Sequence, residues 1–321
     1  TRNKIVALAE EYIENLKDDI HDMLCDQHLD AVHYKGLDIN RDTVAEVETA
    51  VQFFPELLSR RGGHGEDYPI QCLSCAVDIN RHFVCNWRAI PFIALLARLA
   101  IKFNQFEVEE RGGLLIEDEL GENTLKCLTK CSSHSSYDDK HHQLVDNVCL
   151  TQMIQLKRMY LFKKEDIPEY NLFVELCSYS SSLRRRIQFL VEWDPNLLLQ
   201  PDEDGWLLLH WAACRCIRGF QAIFEYGVIY YPNKRGINLL FTQDDCDSEY
   251  ASTPFECACQ KHGRDNVMNA IEEILIRHNS VETPLNIVDA LLTAAIDNDV
   301  HIDGVNFLLR RQPDVLFKLL H

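Results

Sequence analysis

This sequence lacks a membrane span: no apolar run in its 321 residues approaches the ~20 needed to cross a bilayer. No signal peptide is expected in its opening residues. The opening TRNKIVALAEEYIENL is acidic and amphipathic, without the basic segment and apolar stretch of a signal peptide. It begins with Thr rather than Met, so an excised or incomplete chain is expected. There is no N-x-S/T sequon. Basic residues are in short supply: 32 Lys and Arg stand against 50 Asp and Glu, a net charge of −18. A nucleic-acid binder needs Lys and Arg to displace phosphate counterions, so no nucleic-acid role is expected. The balance favours a partner with a basic surface and keeps the chain soluble.

Chemical signatures are missing as well. No H-E-x-x-H, nucleophile elbow or kinase signature occurs. The stretch RRGGHGED lacks the G-K-S/T that cradles phosphate and reads as a turn. DEDG and QDDCDSE lack the ligand ladder ending in Glu that calcium requires. No cofactor is expected.

What is present is a soluble, core-forming composition, 46% hydrophobic and 26% charged. The length suggests about two domains. The 13 cysteines are an odd count over a long chain. They read as reduced thiols of the cytoplasm or nucleus, used as small apolar residues. Within HWAACRC and FECACQ, Cys214/Cys216 and Cys257/Cys259 stand two apart and read as core thiols rather than redox pairs.

Helical periodicity dominates. Ile5, Leu8, Tyr12, Leu16, Ile20 and Met23 form one apolar stripe. RDTVAEVETAVQFF opens on a capping box, Thr43 with Glu46, and continues through Val44, Val47, Val51 and Phe54. RDNVMNAIEEILIRH repeats the pattern with Val267, Ile271, Ile274, Leu275 and His278. Period-two alternation is rare, so no large sheet is expected. SLRRRIQF is a short basic cluster that reads as a solvated helix face.

A unit recurs along the chain. AVQFFPELL, FLVEWDPNLL and FLLRRQPDVL each end an apolar helix at a proline (Pro55, Pro195, Pro313), whose ring and missing N–H forbid continuation. Helix starts align too: DYPIQCLS, AIPFIALLA, WLLLHWAAC, STPFECACQ and DALLTAAID, with the proline-equivalent position at 69, 91, 208, 254 and 291. Weaker copies begin near Thr124 and Asn171. The intervals of 22, 33, 47, 37, 46 and 37 residues scatter around the ~33 and upward of helical-pair solenoids.

DGWLLLHWAAC resembles the ankyrin-repeat signature D-x-x-G-x-T-P-L-H-x-A-A, and STPFECACQKHG is similar to it. The match is good over 200–316, fair over 63–200 and absent before 60. Leu208 stands for Pro in one copy and Glu256 for His in the other. The resemblance implies an all-α solenoid of helix-turn-helix repeats over 63–321, with an N-terminal helical cap region over 1–62. It implies a monomeric protein-binding scaffold with no catalysis. In such a unit Gly205 supplies a positive-φ turn, Pro254 opens a helix at no hydrogen-bond cost, and Thr253 caps it. Ala212 and Ala213 keep the first helix slim. His210 hydrogen-bonds backbone groups of its own turn and a neighbouring repeat. The resemblance also places partner contacts at the turn before each first helix: Trp206 foremost, then Asp202, Asp204, Tyr250 and Ser252.

Other readings compete. His210 as a general base has no carboxylate nearby in the sequence to orient it. Cys127, Cys131, His134, His141 and His142 suit Zn²⁺ by ligand type, though the spacing is short, and the plainer reading is an interhelical loop. An enzyme using that segment is one alternative. A substrate-recognition arm of a larger assembly, such as a ubiquitin-ligase adaptor, is another.

Overall fold

The computed structural model describes residues 2–28, 33–63, 66–77, 83–130, 139–179, 184–202, 205–232, 235–243 and 252–278. The fold is mostly helical. The chain forms two compact units, Thr1–Leu172 and Phe173–His321. The expected boundary at 62/63 falls inside the first of them. Among the described residues no helix is long and apolar enough to cross a membrane.

In the first unit, α1 (Arg2–Cys25) precedes α2 (Val44–Phe53). The capping box forms at α2: the Glu46 N–H donates to Thr43 Oγ1 at 3.3 Å, and the Thr43 N–H donates to the Glu46 carboxylate at 3.0 Å. Pro55 then stops the helix and opens a 3-10 turn, Pro55–Ser59. Next come α3 (Pro69–Cys72), strands β1 (Cys75–Val77) and β2 (Phe83–Cys85), and α4 (Ile93–Lys102). They are followed by α5 (Thr124–Lys130), α6 (Asp139–Arg158) and the single turn α7 (Asp166–Glu169).

The strands pair antiparallel, Cys75 opposite Cys85. The helix that YPIQCLSC suggested is therefore only one turn long. The residues after it join Phe83 and Val84, types that favour a pleated strand. The core gathers around α4, whose Leu95, Leu96 and Leu99 are buried with Leu125, Leu128 and Leu156. Gln152 of α6 reaches the start of α4 and accepts the Ala94 N–H at 3.1 Å, satisfying one orphan donor of that helix. Arg111, Gly112 and Gly113 all have positive φ, and a Cβ on Gly112 would lie 2.4 Å from the Ala97 carbonyl oxygen. Only glycine lets that loop lie against α4.

The stripe on α1 behaves otherwise than its pattern implies. Ile5, Leu8, Tyr12 and Leu16 are exposed, and burial begins only near His21, Leu24 and Cys25, where α1 meets α3.

The second unit holds α8 (Leu172–Tyr179), α9 (Arg184–Trp193), α10 (Leu208–Arg215), α11 (Ile217–Tyr230), α12 (Arg235–Asn238), α13 (Pro254–His262) and α14 (Arg264–His278). Pro195 opens a 3-10 turn after α9, as Pro55 does after α2. A single residue separates α10 from α11 and another separates α13 from α14, and each pair is in contact. Helix α10 packs on α13, and α11 packs on α14. Val267, Ile271, Ile274 and Leu275 of α14 are buried, while His278 and Arg277 both bind the Glu225 carboxylate of α11. The basic cluster read as a solvated face divides: Arg185 is exposed and Arg186 fully buried. One helical turn on, Leu190 shares the face of Arg186, which turns that side chain into the core.

Candidate functional site

The residues singled out in DGWLLLHWAAC converge where α10 meets α13. Gly205 has φ +80°, and its N–H donates to the Asp202 carbonyl. The Asp202 N–H in turn donates to the Trp206 carbonyl at 3.0 Å, closing the turn. Both Asp202 carboxylate oxygens serve the same turn. Oδ1 accepts the Trp206 N–H at 2.8 Å, and Oδ2 accepts the Trp211 Nε1–H at 2.7 Å. Asp202, read from the sequence as a partner contact, thus staples its own loop.

His210 is completely buried. Its Nδ1 accepts the Leu207 N–H at 3.0 Å, so the ring proton sits on Nε2, which donates to the Ser252 carbonyl oxygen at 3.1 Å. Among the bonds the ring makes, these two go to backbone: one to its own helix start, the other to the residue that precedes Thr253. Thr253 caps α13, accepting the Glu256 N–H at 3.2 Å, while the Glu256 carboxylate accepts the Thr253 N–H at 2.9 Å. Pro254 is the first helical residue. Ala212 and Ala213 are fully buried, and the Ala213 carbonyl accepts from His262 Nε2 of α13 at 3.0 Å.

A common device emerges at three aligned helix starts. Gln71, His210 and Glu256 each sit three residues after the N-cap, and each accepts the N-cap backbone N–H: that of Tyr68 (2.9 Å), Leu207 (3.0 Å) and Thr253 (2.9 Å). Gln71 and His210 also have a donor to spare, and each spends it on a distant carbonyl, Ile116 at 3.0 Å and Ser252 at 3.1 Å. Glu256 has no donor, so its clamp is local.

Trp206 is half-buried, its ring 5.1 Å from that of Trp211 and 5.7 Å from that of His210. Ser252 is half-buried, with Oγ 3.3 Å from Cys257 Sγ. Asp204 and Tyr250 lie outside the described residues, as do Cys131 and His134 of the suggested zinc set. Of the remaining members of that set, Cys127 hydrogen-bonds Cys75, and the His141 ring meets Trp87 edge-on at 6.1 Å. Among the described residues no three His, Cys, Asp or Glu side chains are gathered so as to hold a metal ion.

Sequence spacing did not reveal how the thiols pair. Cys214 hydrogen-bonds Cys257 across α10 and α13, and that bond together with burial pushes the Cys214 thiol up. In the first unit Cys25 hydrogen-bonds Cys72, and its Sγ lies 3.5 Å from His21 Nε2. The Cys72 bond and His21 bring the Cys25 thiol down to about 6, while Cys72 is pushed up by the same bond and by burial. The His21 imidazole is raised by its contact with Cys25. A thiolate step with midpoint near pH 6 is therefore expected in an ultraviolet titration, and it should vanish in Cys25→Ser. A depressed thiol stabilises the fold above its ordinary range, and that contribution is lost as pH falls through about 6. If the titration has no step below the ordinary thiol range, this assignment fails.

Compared with known proteins, the chain matches no protein-family model and no curated protein.

Proposed function

We propose that this chain is a protein-binding scaffold of ankyrin-like helix pairs, with no catalytic chemistry of its own. The observation that carries the reading is the clamp shared by Gln71 and His210. In both, one side chain closes its own helix start and bonds a carbonyl more than forty residues away. A histidine with both nitrogens committed to buried backbone has neither the freedom nor the exposure of a general base. The stacking of α10 on α13 and of α11 on α14 supports the same reading. Each helix pair in such an array buries its face on its neighbours, leaving an extended surface and a row of turns for partners.

On this reading the partner contact centres on Trp206. Asp202 ties down both the backbone of Trp206 and the indole of Trp211. The aromatic pair is thereby held in place before binding, which reduces the ordering cost of an interface. The acidic balance of the chain favours a partner with a basic surface.

The test is affinity capture with the wild-type chain and Trp206→Ala, followed by a binding isotherm on the partner recovered. A central tryptophan contributes about 2 kcal/mol or more to an interface, so affinity should fall roughly thirtyfold with unchanged circular dichroism. Unchanged affinity, or loss of helicity, would refute the interface role.

A further inference from the structure

The first unit carries a second surface, independent of the Trp206 turn. A groove of about 630 Å³ runs between α1 and α2. Leu16, Ile20, Ala50, Phe53 and Phe54 line it, with Glu46 at its side. Phe53 is 74% exposed. The groove continues into the bare stripe of α1, where Ile5, Leu8 and Tyr12 are 64%, 65% and 69% exposed. Large apolar side chains in one continuous row mark an interaction surface rather than scattered surface residues. From Ile5 to Ile20 the row is about 22 Å long at ~1.5 Å per residue, the length of a four-turn helix.

Charge selects the occupant. Helix α1 carries Glu10, Glu11, Glu14, Asp18, Asp19 and Asp22, and α2 adds Glu46 and Glu48. Against these eight carboxylates stand Arg2, Lys4 and Lys17 within α1, and from neighbouring segments Arg60 pairs with Asp18 at 2.8 Å and Arg98 with Glu48 at 3.1 Å, which leaves Glu10, Glu11, Asp19 and Asp22 as the excess. Lys17 is already bound by Glu14 and Glu56, at 3.1 and 3.2 Å. A second copy of α1 would bring like charges together. An anionic lipid surface would be repelled for the same reason. We propose that the groove and stripe take an amphipathic helix of a partner protein, with Leu or Phe on its apolar face and Lys or Arg along both flanks. The apolar face would lie on Leu8, Tyr12, Leu16 and Phe53. The basic flanks would meet the α1 carboxylates and Glu46, whose charge is already held by the Thr43 cap.

The experiment titrates the full chain into a labelled synthetic helix of about 18 residues, with Leu and Phe at i, i+3, i+4 and i+7 and Lys elsewhere. A second peptide carries Glu at every Lys position. Saturable binding of the Lys peptide, weakening with salt and absent for the Glu peptide, is the expected result. Phe53→Ser and Tyr12→Ser should each weaken it about tenfold, with circular dichroism unchanged because both side chains are mostly exposed. Binding that both variants retain in full would be non-specific attraction to an acidic protein and would overturn the proposal. So would no saturation below about 100 µM, an affinity weaker than ~5.5 kcal/mol. A dimer in light scattering that Phe53→Ser dissolves would assign the surface to a second copy and overturn it equally. Binding to phosphatidylserine vesicles that Phe53→Ser abolishes would assign it to lipid.

Discussion

Replacing His210 with alanine is expected to destabilise the second unit by about 2–6 kcal/mol, since each buried backbone group left unpaired costs ~1–3 kcal/mol. The substitution removes the only side chain that accepts the Leu207 N–H in the described turn and the donor to the Ser252 carbonyl. Both groups lie where α10 meets α13, and a cavity in place of the ring adds to the loss. A domain is stable by only ~5–15 kcal/mol, so a loss of this size leaves the unit marginal. Urea unfolding followed by tryptophan fluorescence is the measurement, because Trp193, Trp206 and Trp211 all lie in this unit. His210→Gln tests the mechanism. Its amide can accept and donate as Gln71 does at its own helix start, so it should recover part of the loss. A His210→Ala midpoint within error of wild type would show that the clamp adds nothing.

Asp166→Ala is expected to cost the first unit about 3–5 kcal/mol, the penalty for breaking one side of a buried ion pair. Asp166 is fully buried, and its Oδ2 accepts from Arg111 Nη1 and from the Lys163 N–H. Arg111 sits just before the glycine pair that lies on α4, and its guanidinium also reaches the Leu161 carbonyl. Removing the carboxylate leaves a cation with little solvent and frees the end of that loop. The double variant Arg111→Met/Asp166→Leu should recover most of the loss, because an apolar pair of similar volume has no charge to desolvate. Denaturation followed through Trp87 alone, with the other three tryptophans replaced by phenylalanine, isolates this unit. Equal losses in the single and double variants would mean that packing, not the ion pair, sets the cost.

Much of the helix architecture was legible residue by residue. Thr43 with Glu46 announces its helix start because both halves of the capping box lie within one turn of chain, and Thr253 before Pro254 announces another because a cap and a first-turn proline are adjacent. Pro55 and Pro195 announce helix ends because a proline ring acts on the turn that precedes it. The periodic run over Val267–Leu275 shows its buried face because that helix packs along its length.

What the letters do not show has a physical pattern. The stripe of α1 carries the same period as that of α14, yet most of it is bare; periodicity states which face is apolar and is silent on what covers it. Asp202 is expected at a partner contact, and the structure adds that its carboxylate accepts the Trp211 indole N–H, nine residues away on α10. Cys214 and Cys216 read as core thiols rather than a redox pair, and their spacing does not show that Cys214 bonds Cys257 on another helix. Arg186 reads as solvated and is buried, because it lies one helical turn before Leu190 on the core face of α9.

The sequence by itself determined what is local: where helices begin, where prolines end them, which residues have small side chains at helix starts, and that His210 belongs to a helix start. Only the tertiary structure decided the second partner of His210, the pairing of Cys25 with Cys72 and of Cys214 with Cys257, and the exposure of the α1 stripe. The physical reason is range. Caps and stops act over three or four residues and are written in adjacent letters. The Nε2 proton of His210 finds its acceptor forty-two residues on, at a distance set by the packing of α10 on α13 rather than by any spacing along the chain.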